Sequence, residues 1–128
     1  RWTMTSTYFH AESTARKWGG KPEDYIEIHN WFDETKSTFC DFRHRAMRHH
    51  AEGIFWCEEK FGPVIINSDG KAVPTRYIGE QHVMEDCAGT IPSIQDWLTR
   101  ITPERWMNHA TTVKSFNEIN PEYLKKGD

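Results

Sequence analysis

Seven histidines stand among 128 residues. Four of them, His29, His44, His49 and His50, fall in one proline-free stretch from Tyr25 to Glu59, YIEIHNWFDETKSTFCDFRHRAMRHHAEGIFWCEE. His82 sits among acids in Gly79-Glu80-Gln81-His82-Val83-Met84-Glu85-Asp86. Imidazole and carboxylate at helical spacing can hold a divalent cation or move a proton near neutral pH. His29 with Asp33 (i, i+4), Asp41 with His44 (i, i+3) and His82 with Asp86 (i, i+4) each place both groups on one helix face. The candidate metal ligands are therefore His29, Asp33, His44, His82 and Asp86. Mixed His/carboxylate ligation suits Zn, Fe, Mn or Ni and needs no thiolate. Facing helices are where bundle proteins build such sites. His29, Asp33 and His49 are the candidate catalytic groups, with a histidine beside an acid oriented for proton transfer.

The same stretch carries the densest cationic run, Arg43-His44-Arg45-Ala46-Met47-Arg48-His49-His50. Arginine forks suit phosphate or carboxylate. Lys36 falls on a similar stripe to Arg43, so Lys36, Arg43 and Arg45 form the candidate anion-binding set. Arg43 and Arg45 cannot share one helix face, so only part of the run converges. The competing reading is a solvated basic face paired with Asp33, Asp41, Glu52 or Glu85. Cations for phosphate, histidines for protons and carboxylates for a metal together describe a metal-dependent hydrolase acting on a phosphorylated small molecule or nucleotide. The alternative is a non-catalytic module that sequesters a nucleotide or anion, or binds a partner protein. His10-Ala11-Glu12 and His50-Ala51-Glu52 match half of a zinc-deaminase signature, but the P-C-x-x-C half is absent. No HExxH, P-loop, dinucleotide fingerprint or nucleophile elbow is present.

These groups need elements to position them. Tyr8 to Trp18 has Ala11, Ala15 and Trp18 at helical spacing before Gly19-Gly20, with residues 1–7 as an irregular lead-in. Pro22, Glu23 and Asp24 read as a helix start, predicting a helix to about Lys36. From Thr38 the spacing is helical through about Glu52. Gly53 loosens it, Ile54-Phe55-Trp56 carry it to Phe61, and Gly62-Pro63 ends it. Val64-Ile65-Ile66, a turn at Asn67-Ser68-Asp69-Gly70-Lys71, and Ala72 to Ile78 predict a β-hairpin with Pro74 on an edge strand. Glu80 to Cys87 reads as a helical turn or two. Thr90 to Ile101 reads as a helix, capped by Ser93 and Asp96, with Ile94, Trp97, Leu98 and Ile101 buried. Pro103 to Met107 adds one more turn. The expected fold is α+β and mostly α-helical, a compact helical core with one small β-hairpin. The helices from Pro22, Thr38 and Thr90 are expected to make that core. A single domain over residues 1–110 and a polar tail over 111–128 complete the expectation.

Several of these segments together resemble a family of small proteins from bacteria, archaea and phages, of the domain-of-unknown-function class (DUF6915-like). The residues that carry the resemblance are Lys17-Trp18-Gly19-Gly20, Pro22-Glu23-Asp24-Tyr25, Ile28-His29-Asn30-Trp31-Phe32-Asp33, Lys36, Arg43-His44-Arg45-Ala46 and His49. They continue with Phe61-Gly62, Asn67-Ser68-Asp69-Gly70, Glu80-Gln81-His82, Glu85-Asp86, Ile91-Pro92, Asp96-Trp97-Leu98 and Trp106-Met107. The resemblance spans roughly residues 8–107, with the tail after Met107 outside it, and implies no particular reaction.

Composition limits the function classes. Apolar residues make up 37% and aromatic residues 13%, including six Trp, which argues for a folded chain. At 128 residues one domain can bury a modest core without metal or disulfide. More aromatics are present than a small core hides, leaving one or two for a pocket or an interface. A net charge of -3 speaks against an extended nucleic-acid surface. No apolar run approaches the roughly 20 residues of a membrane span, and the first residues lack the apolar core of a secretory leader. Cys40, Cys57 and Cys87 are odd in number with no CxxC spacing, so free buried thiols are expected. The expectation is a cytoplasmic protein without membrane contact, with homo-oligomerisation left open.

Overall fold

The computed structural model describes residues 2–110, and helices dominate them. The expected tail over 111–128 lies outside the described residues. The chain divides after Leu98 into two units, the first of which holds the hairpin and every α-helix found among the described residues.

Helix α1 spans Trp2–Trp18, starting well before the expected Tyr8. No glycine or proline interrupts it until Gly19, so nothing stops the helix from propagating back toward the start. It buries Thr7, His10, Ala11 and Thr14, a face at helical spacing that is mostly polar. A 3-10 turn at Pro22–Asp24 leads into α2, Ile26–Asp33, and a second 3-10 turn at Glu34–Ser37 closes it. Helix α2 buries Ile28, His29, Trp31, Phe32 and Asp33.

The expected helix from Thr38 to Glu52 is broken twice. The Asp41 side chain accepts the Arg43 N–H at 2.9 Å and starts a fresh 3-10 turn, Phe42–His44, that runs into α3, Arg45–Arg48. The second break falls at His49 and His50, before α4, Ala51–Phe61. His50 caps α4 with its ring: Nδ1 accepts the Gly53 N–H at 3.0 Å while Nε2 donates to the Ala46 carbonyl at 3.1 Å. The turn is so tight that a Cβ at Gly53 would overlap the Arg48 carbonyl oxygen. The reversal points His49 into the interior.

Strands β1, Val64–Ile66, and β2, Ala72–Pro74, pair antiparallel with Ile65 opposite Val73, as the Asp-Gly turn predicts. The second strand is shorter than expected. Pro74 adopts extended backbone at the N-cap of α5, Thr75–Asp86, so Tyr77 and Ile78 are helical. Gly79 does not end an element; it lies inside α5, where a Cβ would meet Phe32 at 3.2 Å and Ile54 at 3.3 Å. The missing side chain lets α5 approach α2 and α4 closely.

The helix expected over Thr90–Ile101 is only α6, Ile94–Leu98, and buries none of its residues. Its capping is as expected: Asp96 Oδ2 accepts the Ser93 N–H at 2.9 Å and Ser93 Oγ accepts the Asp96 N–H at 3.1 Å. Leu98 and Ile101 are about half exposed, not a buried stripe. The segment instead docks by hydrogen bonds, with the Ala51 N–H donating to the Pro92 carbonyl at 2.8 Å and Ile94 N–H to Glu52 Oε1 at 2.8 Å. The core therefore lies among α1, α2, α4, α5 and β2, through Ala11, Tyr25, Ile28, Phe32, Ile54, Cys57, Val73, Ile78 and Val83. All three thiols are free, but only Cys57 is buried and Cys40 is exposed. In the unit after Leu98, Arg105–Asn108 forms the expected extra turn, of 3-10 type. Among the described residues no helix is long and apolar enough to cross a membrane.

The overlap at Gly53 makes a test of the α3–α4 reversal. Gly53→Ala is expected to cost about 1–3 kcal/mol, measured by urea unfolding, because the Arg48 backbone must move. An unchanged midpoint would show that the reversal tolerates a Cβ.

Candidate metal centre

Three of these elements end or turn at one buried spot. Asp33 closes α2, His49 stands at the α3–α4 reversal, and His82 and Asp86 lie one turn apart on α5. Their donor atoms lie within 4.8 Å of one another. His49 Nε2 is 3.0 Å from Asp86 Oδ2 and 3.6 Å from Asp33 Oδ1. His82 Nε2 is 3.3 Å from each of the same two oxygens. Asp33, His49 and His82 are wholly buried, and the Asp86 side chain is 14% exposed.

The electrostatics are those of carboxylates held ionised out of water. Burial pushes the Asp33 carboxyl up, but hydrogen bonds from His49 and His82 outweigh it and hold the group well below the usual carboxylate range. Asp86 is held low in the same way against burial, by His10, His49 and His82. Lys36 adds a coulombic pull on Asp33. Within these four residues two polar atoms are buried without a hydrogen-bond partner, Asp33 Oδ2 and His49 Nδ1.

The donor set fits a divalent ion. Bonds of 2.0–2.1 Å arranged tetrahedrally put neighbouring donors about 3.3 Å apart. The four measured His–Asp separations, 3.0 to 3.6 Å, bracket that edge. Two imidazoles and two carboxylates are the donors that Zn, Fe, Mn or Ni accept.

A second group, His10, His29 and His82, also brings donor atoms within 4.8 Å. Its geometry suits stacking and hydrogen bonding better than ligation. The His10 and His82 ring centroids are 4.0 Å apart, too close for an edge-to-edge approach, so His10 lies against the face of the His82 ring. A ring nitrogen offers its lone pair in the plane of the ring, not from the face. Both His10 nitrogens are engaged elsewhere, with Glu85 Oε1 at 2.7 Å and Asp86 Oδ1 at 3.1 Å. His29 bonds Thr14 Oγ1 through Nε2 at 2.8 Å and His82 Nδ1 through Nδ1 at 2.9 Å. Burial, followed by the neighbouring His82 and His10, pulls the pKa of His29 well below its ordinary value.

Of the residues expected at a site, Asp33, His49, His82 and Asp86 come together. His29 stands behind His82 and not beside Asp33's donor oxygen. His44 joins neither group among the described residues. Its Nδ1 is 2.8 Å from Thr35 Oγ1, and burial with His49 nearby lowers its pKa to about 4. Asp41 turns outward to cap its own turn, so the Asp41–His44 pair is not a bite. The anion set does not converge. Arg43 is exposed and binds Asp41 at 2.7 Å, Arg45 Nη1 donates to the Asp86 carbonyl at 3.0 Å, and Lys36 bears on Asp33. His10 and Thr14 join the site although sequence reasoning does not place them there, and their spacing with Ala11 on one helix face is the only signal of it.

A mostly helical α+β domain with a buried His/Asp cluster is the class defined by this geometry. The chain belongs to the family described as Domain of unknown function (DUF6915), whose model matches residues 5–107. No curated protein and no solved structure matches it.

His10 makes the cluster pH-sensitive. Burial draws its pKa down, but hydrogen bonds to Asp86 and Glu85 outweigh this and raise it from 6.5 to about 9. A raised pKa adds stability that is fully present below pH 6.5 and lost as pH rises through about 9. The melting temperature of the metal-free protein should therefore fall across that window, and His10→Gln should flatten the fall. An equal slope in the variant would remove His10 from the account.

Proposed function

We propose that this protein is a metal-binding domain whose Asp33, His49, His82 and Asp86 side chains hold one divalent transition-metal ion, of the Zn, Fe, Mn or Ni group. The observation that carries the reading is the set of four donors, three of them buried, whose His–Asp separations match those around one ion. A site closed by four protein ligands favours a structural or binding role, since catalytic ions keep a position for water or substrate. Such an ion would offset the two buried carboxylates and give Asp33 Oδ2 a favourable field. The free thiols Cys40, Cys57 and Cys87 support a reducing, cytoplasmic setting.

Hydrolysis of a phosphorylated small molecule or nucleotide is the second reading. It is favoured by Asp86, the one donor residue that reaches solvent, and by the His10 nitrogen beside it. An ion there would supply Lewis acidity, and His10 could hold or deliver a proton at Nε2. The anion-binding element of this reading is weak, because Arg43 and Arg45 are engaged elsewhere.

Elemental mass spectrometry of protein purified without a histidine tag should find about one such ion per chain. Adding the ion at about a hundred times its Kd to stripped protein should raise the melting temperature by about 10 °C. Asp33→Ala and His82→Ala should lose both effects. Protein that takes up none of these ions and shows no thermal shift would sink the reading. If metal binds, a phosphatase and nucleotide-hydrolase screen of the loaded protein decides the second reading: turnover lost in His10→Gln with metal retained supports it, and no turnover ends it.

A further inference from the structure

The hydrogen bonds behind the four donors leave little freedom in where the protons sit. Gln81 Nε2 donates to the His10 carbonyl and to Glu85 Oε2, both at 3.2 Å, which identifies the other amide atom as oxygen. Thr14 Oγ1 lies 3.1 Å from that oxygen and 3.0 Å from the His10 carbonyl. Both neighbours are acceptors, so the single hydroxyl hydrogen of Thr14 goes to one of them. Its lone pair must then accept from His29 Nε2 at 2.8 Å. His29 is wholly buried and neither of its nitrogens faces a carboxylate, so a second proton on it would be an uncompensated buried charge. With its one proton on Nε2, His29 offers Nδ1 as a bare acceptor.

His82 Nδ1, 2.9 Å away, has to be the donor. The two rings are 5.1 Å apart between centroids and 24° from parallel, an edge-to-edge arrangement suited to an N–H···N bond.

We propose that Thr14 and His29 are positioning residues that hold a proton of His82 on Nδ1 and so leave Nε2 as the nitrogen that meets Asp33 and Asp86, through a second proton in the metal-free protein and through its lone pair once an ion is bound. A bare nitrogen 3.3 Å from two carboxylate oxygens is repelled unless a cation or a proton lies between them. The relay thus prepares His82 as an Nε2 ligand and keeps His29 out of the coordination sphere. Orientation of a ligating imidazole through its other nitrogen is worth about 10–100-fold in metal affinity. What the lone pair is used for rests on the metal-binding reading. The tautomer itself does not.

The test is long-range 1H–15N correlation on the full-length protein, with His82 assigned by comparison with His82→Gln, in metal-free and Zn-loaded samples. Expected is a protonated Nδ1 on His82 in the metal-free sample, with Zn seen at Nε2 after loading. Thr14→Val nearly keeps the shape but removes the acceptor. It should release His29 to the other tautomer, shift the His82 proton toward Nε2, and weaken Zn binding about 10–100-fold. Thr14→Ser should restore both. A His82 Nδ1 without a proton in the metal-free spectrum overturns the proposal, as does a folded Thr14→Val that binds Zn as tightly as the wild type. If the wild type takes up none of Zn, Fe, Mn or Ni, the metal-binding reading falls, while the metal-free spectrum still decides where the His82 proton sits.

Discussion

Two carboxylates held out of water against imidazoles are the constraint on which this fold turns. Asp33 and Asp86 come from different helices yet face the same two ring nitrogens. Buried anions are tolerated only where positive charge or a cation compensates them. A proton on His10 and hydrogen bonds from His49 and His82 can do this for each contact separately. One divalent ion does it for all four donors together. The stability of the domain is therefore tied to what occupies this spot.

Much of the chain serves to hold that spot still. Gly79 lets α5 close on Phe32 and Ile54, which brings His82 within reach of Asp33. Trp97 Nε1 donates to the His49 carbonyl at 3.0 Å, and Arg45 donates to the Asp86 carbonyl. Arg48 donates to the Trp31 carbonyl at 2.6 Å, pinning α2 two residues before Asp33. The cationic run that suggests an anion site is in large part a set of clamps on backbone oxygens beside the donors. Arg45 and Arg48 brace the centre from behind, while Arg43 lies exposed against Asp41.

The site was partly legible in the sequence, and the limits have physical causes. His82 and Asp86 read correctly as a one-face pair because α5 is regular there. Asp33 was visible beside His29, but spacing cannot tell which nitrogen of a histidine faces which neighbour. His49 stood out by type, while its inward direction depends on a reversal built by His50 as a cap and by Gly53 under the Arg48 carbonyl. Histidine is not among the usual N-cap residues, so the break was hidden. His44 looked like a ligand because Asp41 precedes it by three, yet Asp41 spends its oxygens on Arg43. The contribution of α1 was missed because its buried face, Thr7, His10 and Thr14 around Ala11, is mostly polar and leaves almost no hydrophobic period. The fold class and the hairpin were legible because they rest on turn chemistry and gross pattern. The extent of α5 was not, since Tyr77, Ile78 and Gly79 carry strand and stop signals that packing against α2 and α4 overrides.

The central question is where an ion binds. Anomalous diffraction at the zinc edge, from crystals soaked in Zn2+, tests this most directly. A metal centre built by these four side chains predicts one strong peak between α2, the α3–α4 reversal and α5, bonded at about 2.0–2.2 Å to Asp33 and Asp86 oxygens and to Nε2 of His49 and His82. Density confined to other surface groups, with these four side chains unmoved and unbridged, would contradict it.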